Sequence, residues 1–213
     1  MVETATTGID AKRGLKTLGI VGGVASGKSY VANAFKELGA AVLNADRAGH
    51  EVLKRPDVEQ AARDRWGNDI FDATGRIDRP ALAKIVFDSS PLGRQELNYL
   101  EQLTHPTIGA LLGEQIAEAA DRGIRVLILD APVLLKAGWN RFCDKIVYVD
   151  APREQRMARA LGRGWSETDF SLREAAQETL KVKRELADFV IDNSGPPGAT
   201  LAQIARIWHS LVD

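Results

Sequence analysis

The sequence is poor in cysteine. Its one cysteine, Cys143, excludes an intrachain disulfide framework, so stability must come from a packed core. At 213 residues the chain is long enough to bury one. Scarce cysteine suits a reducing compartment, and Cys143, just ahead of an apolar run, reads as a packing residue. Long hydrophobic runs are also missing, with none near the ~18 residues that a membrane span requires. Residues 1–15 are polar and lack the apolar centre of a signal peptide, so they read as a flexible leader on a cytoplasmic chain. Nor does one charge dominate: 28 Lys and Arg face 29 Asp and Glu. No global field therefore draws the chain to nucleic acid or to an anionic membrane. The three histidines, His50, His105 and His209, lack metal-ligand spacing with one another or with Cys143.

What the sequence does hold is a series of short apolar runs. Leu18–Val21, Ala41–Leu43 (the weakest), Arg125–Leu129, Lys145–Val149 and Phe189–Ile191 each end near turn residues. Unalternating β-branched runs of this length suit strands buried on both faces, as in a parallel sheet. Helical patterns lie between them. Val31, Ala34, Phe35 and Leu38 fall at helical spacing before Gly39, a C-terminal stop. Pro152 opens a helix through Leu161. Ser166 to Asp169 has the spacing of a capping box and opens a helix to about Ala187. Thr200 opens the last, with Leu201, Ile204, Trp208 and Leu211 on one stripe. Between Arg55 and Ala120 the patterns are helical throughout. Pro80 starts a helix to Phe87, and Pro106 kinks or divides another between Gln95 and Ala120. The predicted fold is a three-layer, doubly wound α/β domain with a five-stranded parallel sheet, interrupted by a helical insertion.

The strongest motif is Gly22-Gly23-Val24-Ala25-Ser26-Gly27-Lys28-Ser29, which satisfies G-x-x-x-x-G-K-[ST] between a strand and a helix. Glycines permit backbone angles and a close approach that a β-carbon would block. Successive N–H groups then form a nest for phosphate oxygens, reinforced by the helix N-terminus. Lys28 neutralises the β- and γ-phosphates, and Ser29 offers a hydroxyl to Mg²⁺. The motif implies a nucleoside triphosphate without naming the acceptor.

Other residues bear on the acceptor. Asp46 follows the second strand, where strand ends line the ligand crevice of a doubly wound sheet. It can orient an acceptor hydroxyl and take its proton, or it can cap the next helix. Asp130 ends the third strand as a metal-binding carboxylate would, or as a turn residue before Pro132. Arg153, Arg156, Arg159, Arg163 and Arg173 cluster around Gly162–Trp165. Arg159 and Arg163, four apart, share a helix face. Together they form either a mobile lid over a triphosphate or a solvated face paired with Glu154 and Glu167. Lys181, Lys183 and Arg184 read as solvated surface. His105, ahead of Pro106, contacts substrate or caps a kink.

Taken in order, these stretches resemble the dephospho-CoA kinase family from about Leu18 to Gly195. The resemblance rests on the loop Gly22–Ser29, Asp46 with His50, Phe71–Arg79, Leu82 to Phe87, and Leu100-Glu101 with His105-Pro106. It continues through Asp130-Ala131-Pro132 with Leu134-Leu135, Asp144, Arg159 with Arg163, Arg173 with Gln177, and Ala187–Asn193. The loop alone is generic, whereas the insertion stretches and Ala187–Asn193 are specific. The resemblance implies a fold of the P-loop NTP hydrolase and nucleoside monophosphate kinase type. It implies transfer of the ATP γ-phosphoryl group, with Mg²⁺, to the ribose 3′-hydroxyl of dephospho-CoA. A nucleotide core would comprise residues 16–56, 121–152 and 188–213, a CoA-binding helical domain 57–120, and a lid 153–187. Asp46 is then the general base, and Lys28 and Arg159 stabilise the transferring group. Gly22–Tyr30, Arg163 and Asn193 hold the nucleotide, with Asn193 beside adenine. Asp46, His50, Arg79, His105 and Leu134 meet the acceptor, and Ser29 and Asp130 hold the metal. The expected partner is a small molecule, with no nucleic acid or membrane, for a monomer or weak homo-oligomer.

The sequence departs from the family pattern in places. Tyr30 stands where threonine is usual, Ala25 replaces a glycine, and Asn44 replaces the first acid of Asp-Ala-Asp. Lys136 stands where Glu is common, reversing a charge. The lid arginines lie one residue further from Gln155 than usual. Two alternatives stay open: another small-metabolite kinase acting on a nucleoside monophosphate, shikimate or a sugar acid, and an ATP-binding regulator without turnover.

Overall fold

A computed structural model describes residues 14–88 and 90–212. The chain divides into two compact units. One comprises the described residues up to Asn44 and from Glu114 onward; the other is Ala45–Gly113.

In the first unit all five apolar runs are strands: β1 (Lys16–Gly22), β2 (Ala41–Asn44), β3 (Val126–Asp130), β4 (Lys145–Asp150) and β5 (Phe189–Asp192). They pair in parallel in the order β2-β3-β1-β4-β5. The three central strands are covered on both faces, which is why they lack alternation. Side chains on successive residues of β3 point to opposite faces. Val126 and Ile128 join Leu18, Ile20 and Val31 in a core under helices α1 (Lys28–Glu37) and α9 (Pro197–Val212). Leu127 joins Leu15, Ile116 and Ala119 on the other side, the latter two from α5 (Pro91–Asp121). The edge strands β2 and β5 are shorter and less buried, which accounts for the weak signal of Ala41–Leu43.

Two aspartates set the strand registers by the same device. Asp144 exchanges hydrogen bonds with Thr17, accepting from its N–H at 2.7 Å and donating its own N–H to the Thr17 carbonyl at 2.8 Å. Asp188 does the same with Ile146, at 2.8 and 2.9 Å. Each carboxylate satisfies an N–H at the start of the neighbouring strand that no ladder bond reaches.

Several local expectations change. Of the expected leader, residues 1–13 lie outside the described residues, and Leu15 is buried in the core. The single helix expected from Ser166 to Ala187 is two, α7 (Glu167–Ala175) and α8 (Leu180–Glu185). The Ser166–Asp169 capping box opens α7, but Thr179 caps a second start by accepting the Val182 N–H. A threonine hydroxyl offering the backbone this alternative favours a break over helix continuation. Helix α6 (Arg153–Leu161) ends before Arg163, so Arg159 and Arg163 do not share its face. Gly162 closes the helix and leaves Arg163 in the exposed turn beyond. Helix α9 starts at Pro197, ahead of Thr200. It buries Thr200, Ile204 and Ile207, and Trp208 and Leu211 pack against the same core, so of the expected stripe only Leu201 is exposed.

The second unit is helical, as the insertion pattern predicts. It holds α2 (Ala45–Val52), α3 (Pro56–Trp66), α4 (Arg79–Val86) and α5 as far as Gly113. Pro80 lies in the first turn of α4, with Asp78 as its side-chain cap. Pro106 sits inside α5, which runs on through it. Ala62, Ile70, Leu82 and Val86 form the core of this unit. The buried Glu96 ties α5 to α3, accepting two bonds from Arg65 and one from the Trp66 indole. Among the described residues no helix is long and apolar enough to cross a membrane.

Candidate active site

β1 ends at the centre of the sheet, between β3 and β4, and the chain turns there into the loop Gly22–Gly27. Strand neighbours diverge to the two sides of this position, the arrangement at which open α/β sheets bind ligands. The loop is tight because its glycines are enclosed. A β-carbon on Gly22 would lie 2.6 Å from the Val149 carbonyl oxygen. Gly27 caps α1 at φ 103° and a β-carbon there would strike the Asn193 amide nitrogen. Ala25 is the only non-glycine with positive φ, 57°, among the described residues. An L-residue is strained by ~1 kcal/mol in that region.

A loop that turns its N–H groups inward leaves its carbonyls facing the protein, and each needs a donor. Cations supply most of them. Lys28 folds back to donate to the Gly22 and Gly23 carbonyls at 3.4 and 3.1 Å. Arg156 donates to Val24 at 3.3 Å. Arg159 donates to Ser26 at 3.1 Å and to the Asn193 carbonyl at 2.7 Å. The Asn193 amide also donates to Ser26, at 2.8 Å, and Thr200 holds the amide oxygen at 3.1 Å. Lys183 from α8 reaches the Gly22 carbonyl at 3.4 Å.

One of these braces, Lys183, escapes sequence reasoning, and Arg156, a member of the arginine cluster, is buried where a solvated face was the alternative. Lys183, expected on the solvated surface, is 2% exposed and also donates to Gln177 at 2.7 Å. Arg156 is equally buried. It bonds the Ala151 carbonyl and pairs with Glu174 at 2.7 Å, while Arg153 takes the other oxygen of that carboxylate at 2.9 Å. The arginine partner is thus Glu174, on α7, rather than Glu154 or Glu167. No local signal marks Lys183, and none marks the burial of Arg156, because both are buried by packing α6, α7 and α8 over the loop.

The concentration of charge alters Lys28. Burial, then repulsion from Lys183, Arg156 and Arg163, pulls its pKa down to about 8, against an opposing pull from Asp130. Burial likewise lowers Lys183, with Glu178 opposing. Ser26 is fully buried and its hydroxyl has no hydrogen-bond partner. A buried orphan hydroxyl inside a cationic nest fits a phosphate group that would accept from it.

The other predicted residues are placed as follows. Asp130 ends β3 in register with Ile20 and Asn44. Ser29 and Tyr30 are exposed on the first turn of α1. Leu134 is fully buried, packs on Gly19, and lines a small cavity with Lys28, Lys183, Gly22, Pro132 and Glu178. The structure thus brings Lys28, Arg159, Asn193 and Asn193's brace Thr200 together around the loop. Asp46 and His50 lie in the first and last turns of α2, Arg79 opens α4, and His105 precedes Pro106 in α5, all in the second unit.

Comparison with known proteins agrees with this architecture. A sequence model of the dephospho-CoA kinase family matches residues 16–197. The chain is 37% identical over 195 residues to dephospho-CoA kinase from Carboxydothermus hydrogenoformans, covering 91% of this chain and 93% of that protein. It is 36% identical over 199 residues to the Aquifex aeolicus dephospho-CoA kinase, covering 92% and 98%. A solved structure from Thermus thermophilus matches at a TM-score of 0.78 and 30% identity, over 93% of this chain and 98% of that one. The dephospho-CoA kinase structure from Campylobacter jejuni matches at 0.69 and 22% identity, over 92% and 96%, and shares the fold. A strand-loop-helix phosphate nest on a 2-3-1-4-5 parallel sheet, with a family match spanning nearly the whole chain, establishes that this protein belongs to the dephospho-CoA kinase family.

Proposed function

We propose that this chain transfers the γ-phosphoryl group of ATP to the ribose 3′-hydroxyl of dephospho-CoA, giving coenzyme A and ADP. The observation that carries the reading is the loop Gly22–Ser29 with its cation-capped carbonyls, in a chain that belongs to this family. In the reaction the hydroxyl oxygen bonds to γ-phosphorus, its proton passes to Asp46, and the bond to the bridging β–γ oxygen breaks to release ADP. Lys28 leaves the Gly22 and Gly23 carbonyls for the β- and γ-phosphates. Arg159 holds Ser26 and Asn193 in place, and its remaining N–H groups serve charge on the phosphoryl oxygens. Gly22–Tyr30, Arg163 and Asn193 hold the nucleotide. His50, Arg79, His105 and Leu134 bind the acceptor.

Ser29 and Asp130 suit Mg²⁺, which takes one or two protein oxygens, keeps several waters, and completes its shell with phosphates. Such a site needs no cluster of three acidic or imidazole ligands, and the described residues contain none. Bound there, Mg²⁺ supplies positive charge to the β- and γ-phosphates. Residues 57–120 serve the acceptor and residues 153–187, which hold α6 to α8, form the lid. The same reading makes the chain cytoplasmic, as a monomer or weak homo-oligomer.

ADP release tests this. Dephospho-CoA should stimulate it, whereas AMP and shikimate should not. Turnover of AMP or shikimate with no response to dephospho-CoA sinks the assignment. Asp46→Asn should keep ATP affinity and lower turnover by roughly 10²–10⁴-fold. Near-normal turnover removes Asp46 from the mechanism.

A further inference from the structure

Lys183 is a buried cation for which the mechanism above has no use. Its ammonium has three protons. One makes a short bond to Gln177, at 2.7 Å, and one a long bond to the Gly22 carbonyl, at 3.4 Å. Glu178 is its ion-pair partner at 3.9 Å, too far to accept a hydrogen bond, so the pair leaves the third proton without an acceptor at bonding distance. Burying an ammonium with its donors this loosely engaged is costly unless a further anion completes the set. Its position shows where that anion would sit. Lys28 donates to the same Gly22 carbonyl, also at 3.4 Å, so the two ammonium groups are at most about 7 Å apart. Both face the cavity that lies against Pro132 and Leu134.

We propose that Lys183 is a further catalytic residue, which binds a non-bridging oxygen of the terminal phosphoryl group of ATP beside Lys28. Lys28 belongs to the loop and meets whatever polyphosphate the loop holds. Lys183 arrives from α8, beyond the first glycine, on the side of the β3 end. Its contact is therefore with the group that moves rather than with the group that stays. Gln177 and Glu178, in the turn between α7 and α8, aim it. The inference rests on the kinase reading for its reaction but not for its binding step, and the two can fail separately.

The test uses the full-length protein and Lys183→Met, Lys183→Gln and Lys183→Arg. Turnover with dephospho-CoA and the affinities for ATP and ADP are measured, with folding checked by circular dichroism. The expected result is a fall in turnover of ~10²-fold or more in the Met and Gln variants. ATP affinity should weaken by ~10-fold or more, ADP affinity by less than ~3-fold, and arginine should restore most of the turnover. If the Met variant fails to fold, the Gln variant carries the comparison. Turnover within ~3-fold of the parent, or equal loss of ATP and ADP affinity, overturns the proposal and leaves Lys183 as a brace of the loop. If the parent protein itself does not respond to dephospho-CoA, the acceptor reading has failed, and the ATP-against-ADP comparison still decides on Lys183.

Discussion

Lys28 is held in a place that disfavours its charge. Its pKa of about 8, set mainly by burial, lies below the ordinary lysine value of 10.5. A cation whose pKa is lower folded than unfolded opposes folding while it stays charged. The cost is therefore present below pH 8 and is relieved as pH rises from 8 to 10.5. Lys28→Met should abolish turnover and yet stabilise the nucleotide-free protein by on the order of 1–3 kcal/mol at pH 7, read by urea denaturation. Phosphate raises the same pKa, so ATP affinity should be flat in this group below pH 8. Above pH 8 it should weaken by up to ~10-fold per pH unit, measured by calorimetry with proton uptake on binding. Ala25 is the second residue under tension. Ala25→Gly removes the positive-φ strain and should leave stability unchanged or raise it by up to ~1 kcal/mol. Gly27→Ala, by contrast, adds a β-carbon against Asn193 at φ 103° and should cost ~1–3 kcal/mol together with nucleotide affinity. Thermal melts with and without ATP separate the two.

At the scale of elements, α6 supports the loop from below. Its Arg156 spans the Val24 and Ala151 carbonyls and Glu174, and its guanidinium faces the Phe170 ring at 5.6 Å. Removing it strands two carbonyls and half of a carboxylate in the interior. Arg156→Met should therefore destabilise the protein by ~2–4 kcal/mol and weaken ATP binding while leaving dephospho-CoA affinity unchanged. Calorimetric titration of each ligand checks this. The elements were unequally legible. The three central strands were plain because two-sided burial demands unbroken apolar runs. α7 and α8 read as one helix because no glycine or proline stops the chain between the Ser166–Asp169 capping box and Ala187. The competing signal was a lone Thr179 hydroxyl, and threonine caps only where the fold lets the chain turn. Lys183 on α8 reads as surface from the sequence because of its neighbours. A lysine beside Arg184 and Glu185 carries no mark of burial until α8 is laid over Gly22.

At the scale of the molecule, the first unit gathers Lys28, Arg156, Arg159 and Lys183 around one loop while the chain as a whole is near neutral. Their mutual repulsion is a cost of folding that a polyphosphate relieves. ATP, ADP and inorganic pyrophosphate should each raise the melting temperature. Saturation at 100 times Kd corresponds to about 2.7 kcal/mol. Scanning fluorimetry with each anion checks this, and the rise should shrink with added salt as the loop's field is screened.

The sequence alone was enough for the parallel sheet, the phosphate loop, the helical insertion and the family. Those depend on local spacing: the reach of a strand, the glycine pattern of a nest, the period of a helix. The strand order, the aspartate brackets at Thr17 and Ile146, the break before Thr179 and the second lysine at Gly22 were decided only in three dimensions. Each joins residues far apart in the chain, and a carbonyl's need for a donor does not specify which distant side chain will meet it.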